Sequence, residues 1–253
     1  MEKINVIKVG GAVVEDQQQL SLLLKEFSAI EGRKVLVHGG GRRATKVASQ
    51  LGIETQMVDG RRITDKAMLE VVTMVYGGLV NKNVVAQLQA EGINALGLTG
   101  ADINVIRSHK RPLKNGIDYG FVGDVDHADG NMLKTLIEAG IVPVMAPLTH
   151  DGKGNMLNTN ADTIASSVAS ALGAELVTCF EKRGVLRDKD DDDSVIAHIN
   201  PESFERMKQE GSISDGMIPK LQNAFKALRE GAVKVTIKHS SELLSDSGTV
   251  ISL

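Results

Sequence analysis

Residues 34–52, "KVLVHGGGRRATKVASQLG", read as a buried strand that empties at His38 into three successive glycines and then into a helical pattern. A short apolar run, a glycine turn and a helical period make a strand–turn–helix unit, the building block of an α/β sheet. The turn lacks the Lys-Ser/Thr ending of a P-loop and the spacing of GxGxxG. It therefore asks for close backbone approach to something without naming it. A Cβ at Gly39, Gly40 or Gly41 would stand between main chain and ligand.

Working outward, the same unit recurs. "INVIKV", residues 4–9, is a second apolar run ending in Gly10 and Gly11, and Leu20, Leu23, Leu24, Phe27 and Ile30 follow at helical spacing. Residues 65–90 have a helical pattern with an expected interruption at "YGGLVN". A strand is expected over 95–99, "INVIRSHKRPL" and "IDYGFVGDV" read as hairpin arms, "NMLKTLIEAG" as a helix stopped by Gly140, and "IVPVMAPL" as a strand. Helix 161–172, strand 175–180, helices near 201–210 and 217–230 and strand 233–238 complete the alternation. The pattern predicts an α/β fold with a mostly parallel central sheet sandwiched by helices. We expect one domain, 1–253, with two lobes of about 1–150 and 151–253 meeting near "LTHDGKGNM", residues 148–156.

Composition narrows the function. The chain has 253 residues, 42% of them hydrophobic, and a formal net charge of −3, which disfavours a general nucleic-acid binder. A single cysteine excludes an intramolecular disulfide framework and suits a reducing compartment. No run approaches the ~18 apolar residues of a membrane span, and the N-terminus lacks the apolar core of a signal peptide, so a cytoplasmic protein is expected.

Several residues stand out. Lys8 lies inside an apolar strand, where an ammonium is costly unless it meets an anion; an edge-strand lysine reaching to solvent is the plain alternative. Glycines at strand ends leave N–H groups free to face an anion, and open α/β sheets bind ligands there. "NTNADT" places Asn158, Asn160 and Asp162 before a helix, more short polar residues than one N-cap needs. Asp215 is a possible cap, and Lys220 alone reads as a surface lysine. The Asp-rich run 188–193 fails the EF-hand pattern at Asp193 and Ile199 and reads as a solvated loop. Scattered His residues and the absence of HExxH and GxSxG leave no metal site and no serine nucleophile; Cys179 reads as core.

Together, "IKVGGAVV", "VLVHGGGRRATK", "DGRRITD", "GLTGADINVI", "GFVGDV", "MLNTNADTIA", "ISDGMIPKL" and "GTVISL" resemble the amino-acid kinase family over nearly the whole chain, and within it the acylglutamate kinases of arginine biosynthesis. The resemblance implies an N-terminal site for an N-acyl-L-glutamate and a C-terminal site for ATP with Mg2+. It implies that Lys8 and Lys220 flank the transferring phosphoryl group and that Asp162 orients both. It implies substrate contacts from Gly40, Gly41, Arg62, Asn158 and Asn160, with Arg62 on the α-carboxylate. It places phosphate or ATP contacts at Gly10, Gly11, Glu181, Lys182, Gly184, Leu186, Ser212, Ile213 and Ser214. Where the family reads Asp-Val-x-Gly, this chain has Glu181-Lys182-Arg183-Gly184, whose two cations could touch phosphates or face solvent.

Arg107, His109, Lys110, Arg111 and Lys114 form a basic hairpin segment that reads as solvated charge; the sharper alternative is that one of them meets an acyl group with its own carboxylate, such as succinyl. Arginine-inhibited members carry an extra N-terminal helix that links dimers into hexamers. This chain begins almost at its first core strand, so a homodimer is expected. A sister kinase acting on glutamate, aspartate, carbamate or UMP, and a non-catalytic ligand sensor, are the rival readings.

Overall fold

The computed structural model describes residues 3–58, 60–113, 115–188, 190–213 and 216–253. In the first half, β1 (Ile4–Val9), α1 (Gly11–Glu15), α2 (Gln17–Ala29), β2 (Arg33–His38) and α3 (Gly41–Gln50) form two successive strand–turn–helix units. A short hairpin, β3 (Met57–Val58) and β4 (Arg61–Arg62), leads to α4 (Lys66–Val72), a π-helical stretch (Thr73–Val80) and α5 (Asn81–Ala90). Then come β5 (Ala95–Leu98), β6 (Ile106–Lys110), β7 (Gly123–Ala128), α6 (Gly130–Glu138) and β8 (Val142–Met145). The second half holds β9 (Leu148–His150), β10 (Met156–Asn158), α7 (Ala161–Leu172), β11 (Glu175–Phe180) and β12 (His198–Ile199). It closes with α8 (Pro201–Glu210), α9 (Ile218–Arg229), β13 (Lys234–His239) and β14 (Thr249–Ile251).

The main sheet runs in the order β12-β14-β13-β11-β1-β2-β8-β5 and is parallel except for the β13–β14 pair. β1 is central, between β2 and β11, so Lys8 is no edge-strand lysine. Side chains alternate across the sheet. Ile4 and Val6 of β1 and Val35 and Val37 of β2 join the core that holds Ile164 and Val168 of α7 and Leu221 and Phe225 of α9. Ile7, Val9 and Leu36 face the opposite core, with Leu23, Leu24 and Phe27 of α2 and Val84 and Leu88 of α5. Lys8 therefore shares the α7 face, and His38 shares the α5 face. Cys179 is fully buried in this second core.

A smaller sheet, β10-β9-β6-β7, carries the predicted hairpin. Residues 148–156, where the lobes were expected to divide, fall in the β9–β10 hairpin within it. Two local features differ from expectation. The helix over 66–90 is not interrupted at "YGGLVN" but widens into π-helical turns. Gly77 permits close packing there, since a Cβ on it would lie 3.4 Å from Leu148 Cδ1 and Thr99 Cγ2. The polar tail also supplies a strand, β14, after a loop stapled by Lys238, whose ammonium donates to the carbonyls of Leu243 (3.3 Å) and Ser245.

Candidate active site

Parallel order brings the C-terminal ends of β1, β2 and β11 to one edge, where Gly10, Gly39 and Glu181 follow them. This is the crevice in which open α/β sheets hold ligands. The Gly10 N–H donates to the Cys179 carbonyl (3.1 Å) and the Gly39 N–H to the Val9 carbonyl (3.0 Å), so the two glycine turns extend the strand register into the crevice. A cleft of about 430 Å3 opens here, lined by residues from both halves of the chain.

At its base Lys8 and Asp162 meet. Alternation along β1 aims Lys8 at the N-terminus of α7, and its Nζ lies 2.7 Å from Asp162 Oδ1 with only 6% of the lysine side chain exposed. Lys220, in the first turn of α9, places its Nζ 3.8 Å from the other carboxylate oxygen and 5.7 Å from the centre of the Phe180 ring. Two ammonium groups thus share one carboxylate, leaving a net positive cluster at the cleft floor. Burial raises the Asp162 carboxyl, but Lys8 and then Lys220 outweigh it and hold the group below the ordinary carboxylate range. Burial lowers the Lys220 ammonium from its usual value, against the pull of Asp162.

Asn160 turns out to be the N-cap of α7. Its Oδ1 accepts from the N–H groups of Asp162 (2.8 Å) and Thr163 (3.3 Å), which fixes the turn carrying Asp162. Asn158 donates through Nδ2 to Thr64 Oγ1 (2.9 Å) and through its backbone to the Phe121 carbonyl (2.8 Å), tying the end of β10 to the segments that follow β4 and precede β7 at the cleft wall. Arg62 is 8% exposed; Nη2 donates to the Gly41 carbonyl (2.9 Å) and Thr45 Oγ1 (2.8 Å), and Nη1 to Thr55 Oγ1 (3.2 Å). It is a cation without a carboxylate partner among the described residues, pre-oriented at the N-terminus of α3.

The glycines have a reason beyond the one expected. A Cβ on Gly39 would lie 2.9 Å from Gly11 N, and one on Gly40 2.8 Å from Tyr76 Cδ1. These two are required first by contact with the protein itself, not by contact with ligand. Gly11 and Gly41 do open to the cleft: a Cβ on Gly11 would approach Gly40 N (3.5 Å) and Gly41 N (3.6 Å).

Lys8, Lys220, Asp162, Gly10, Gly11, Gly40, Gly41, Arg62, Asn158, Asn160 and Glu181 all line the cleft. A second cavity of about 160 Å3 shares the Phe180 wall and gathers Lys182, Gly184, Leu186, Ser212 and Ile213 with Val185 and Met217. Ser214, Asp215 and Lys114 lie outside the described residues. Sequence reading missed Tyr76, a buried wall beside Gly40, and Phe180, the partition between the two cavities. The only available signal was their rarity, since the chain has two tyrosines and five phenylalanines.

The extra cations after Glu181 are paired: Lys182 with Asp192 (2.8 Å), and Arg183 with Asp193 (3.0 Å) and Glu242 (3.1 Å). The acidic run is exposed yet engaged, rather than merely solvated. Glu181 pairs with Arg42 of α3 (3.1 Å) across the cleft mouth. In the basic hairpin, His109 meets Asp126 (2.6 Å), Lys110 meets Asp118 (3.7 Å) and Arg111 meets Asp124. None of these three lines the cleft; Arg61 does. Among the described residues no group of three or more His, Cys, Asp or Glu is arranged to hold a metal ion.

Comparison with known proteins agrees with this geometry. The sequence pattern of the amino acid kinase family matches residues 3–239. An acetylglutamate kinase of Bacteroides fragilis is 63% identical over 254 residues, covering 99% of this chain and 97% of that one. Among solved structures, smu.665 from Streptococcus mutans is 30% identical with a TM-score of 0.82, covering 98% of each chain. N-acetylglutamate synthase from Neisseria gonorrhoeae, complexed with coenzyme A and N-acetyl-glutamate, shares the fold at 22% identity with a TM-score of 0.86. That match covers 99% of this chain, which spans 59% of the synthase.

Proposed function

The chain belongs to the amino acid kinase family, and from that premise we propose that it transfers the γ-phosphoryl group of Mg–ATP to the γ-carboxylate of an N-acyl-L-glutamate, as an acetylglutamate kinase of arginine biosynthesis. The observation that carries the reading is the Lys8–Asp162–Lys220 cluster at the base of the cleft. Phosphoryl transfer needs positioning and neutralisation of charge spread over the phosphoryl oxygens. Two ammonium groups spaced by one carboxylate supply this, Asp162 holding both at the cleft floor.

The acceptor needs no general base. A glutamate-like carboxyl titrates near ~4.3 and is ionised at neutral pH. One of its oxygens attacks the γ-phosphorus in line, the bond from phosphorus to the β,γ-bridging oxygen breaks, and ADP leaves with that electron pair. No proton moves. Lys8 and Lys220 neutralise the transferring group, and Gly11 and Gly40 donate backbone N–H groups to phosphate or acceptor carboxylate; the Gly10 N–H, expected to join them, is taken by the Cys179 carbonyl, and Gly10 only lines the cleft. Arg62 holds the substrate α-carboxylate, with Gly41, Asn158 and Asn160 completing that wall. Mg2+ enters as part of the nucleotide, because Asp162 is already engaged by two lysines.

The nucleotide base side occupies the smaller cavity beyond Phe180, between Lys182, Gly184 and Leu186 on one side and Ser212 and Ile213 on the other. The lobes accordingly divide as substrate side and nucleotide side. We assign the protein to the cytoplasm as a homodimer; exposed Leu96 on the edge strand β5, and exposed Met74 and Leu79 on the π-helical stretch, are apolar surface that supports a second copy. No helix among the described residues is long and apolar enough to cross a membrane.

Hydroxylamine trapping of acyl phosphate tests the reading, with Mg–ATP and N-acetyl-, N-succinyl- or free L-glutamate as acceptor. Signal with an N-acylated acceptor is expected and identifies the acyl group. Signal only with free glutamate would make the protein a glutamate kinase, and silence with all three from protein that binds ATP would leave a sensor.

A further inference from the structure

The reaction as proposed uses the N–H groups of the Gly39–Gly41 turn but leaves unexplained what aims them. Beneath the turn lies a buried polar chain. His38 is fully buried; its Nδ1 lies 2.7 Å from the Gly39 carbonyl oxygen, and its Nε2 lies 3.1 Å from Asn81 Nδ2. Asn81 is 1% exposed, and the same Nδ2 donates to the Val144 carbonyl at 2.9 Å. Its Oδ1 accepts from Lys82 Nζ (3.1 Å), which also donates to the Gly97 carbonyl (3.1 Å).

These contacts fix every proton. A carbonyl oxygen only accepts, so Nδ1 carries the hydrogen and Nε2 is left as an acceptor. The Lys82 ammonium only donates, so the Asn81 oxygen faces Lys82 and both amide hydrogens are directed, one to His38 and one to Val144. Gly97 leaves room for this arrangement, since a Cβ there would lie 1.8 Å from Asn81 Oδ1.

A trans peptide points its C=O and the following N–H in opposite directions. Pinning the Gly39 carbonyl down onto His38 therefore turns the Gly40 N–H the other way, toward the opening above Gly11. The Gly40 and Gly41 N–H groups find no acceptor among the described residues, and both border the space a Gly11 Cβ would occupy. We propose that His38, held in its Nδ1–H form by Asn81, is a positioning residue that locks the Gly39–Gly40 peptide so that the Gly40 N–H faces the anionic reactants. The inference rests on the phosphoryl-transfer reading for its catalytic consequence but not for its geometry.

Two measurements test it. Imidazole 15N NMR of the wild-type protein reads the geometry alone, with His38 expected as the Nδ1–H tautomer. An Nε2–H tautomer would overturn the proposal whatever the protein phosphorylates. The second compares H38N, whose amide reaches the Nδ1 position and can still donate to Gly39, with H38Q, whose amide reaches the Nε2 position and cannot. Losing an aimed donor costs on the order of 100-fold in kcat, so H38Q should fall by about that factor with ATP affinity retained, and H38N should recover most of it. Equal losses in the two variants, tracking their urea midpoints, would reduce His38 to a core residue. A wild type silent toward every acceptor would refute the kinase reading, and the tautomer would still decide the alignment.

Discussion

Replacing Asp162 by Asn should destabilise the free protein far more than replacing Lys8 by Met. Among the described residues Asp162 is the only carboxylate contacting two ammonium groups, at 2.7 Å and 3.8 Å, and its side chain is 17% exposed. Removing one partner of a buried pair costs about 3–5 kcal/mol because the other charge is left uncompensated. Partial exposure of Asp162 places the D162N cost near the lower end, about 3 kcal/mol, with two cations then facing each other. K8M removes one of those cations, leaves Asp162 paired with Lys220 and substitutes an apolar side chain of similar length in an apolar strand. Its cost should stay near or below about 1 kcal/mol. The assay is urea unfolding without ligand at pH 7.5. At an m-value of about 3 kcal/mol/M the D162N midpoint falls by about 1 M and the K8M midpoint by a third of that or less. A D162N loss no larger than that of K8M would refute the claim that this carboxylate compensates two buried cations.

Three further outcomes follow from the same geometry. Burial pushes the His38 imidazole down from 6.5 to about 4. The unfolded chain takes up the proton first as pH falls, so stability that is fully present above pH 6.5 is lost toward pH 4; the contribution is about 3 kcal/mol, and urea midpoints of wild type and H38N across that range should differ in slope accordingly. Gly39→Ala places a Cβ 2.9 Å from Gly11 N and 3.1 Å from Gly11 Cα, both backbone, so the two glycine turns must part. Misplacing the donors by even about 1 Å costs on the order of 100-fold in kcat, whereas an unchanged kcat would mean the turns need not touch. Because Lys220 is depressed by burial, the alkaline limb of the kcat profile should fall below the ordinary lysine value of 10.5. Arginine keeps its charge throughout, so the K220R profile should lack that limb, and a persistent limb would assign it to another group.

Much of this architecture is legible in the sequence because it follows from local rules. Apolar runs ending in glycines mark β1 and β2, and a lysine placed in an apolar run announces a buried cation in search of an anion. What sequence leaves open is partnership across the sheet. "NTNAD" offers three possible caps, and only the fold shows that Asn160 caps α7 while Asp162 is released to bind the lysines. The glycine triplet is legible as close approach, but not that Gly39 meets Gly11 and Gly40 meets Tyr76. "YGG" reads as a break because glycine disfavours helix, yet packing against Leu148 and Thr99 overrides that preference. The Asp-rich run lies about ten residues beyond Lys182 and Arg183, and a pairing that depends on a loop folding back has no local signature.

The most direct test of the central claim is hydroxamate formation by wild type, K8A and K220A with Mg–ATP and N-acylated glutamate, alongside nucleotide binding. Removing a charge aimed at the transition state costs on the order of 100- to 1000-fold. Wild type should form acyl phosphate, and both variants should lose at least that factor while still binding ATP. Near-wild-type turnover in either variant would contradict the assignment of Lys8 and Lys220 to the transferring phosphoryl group.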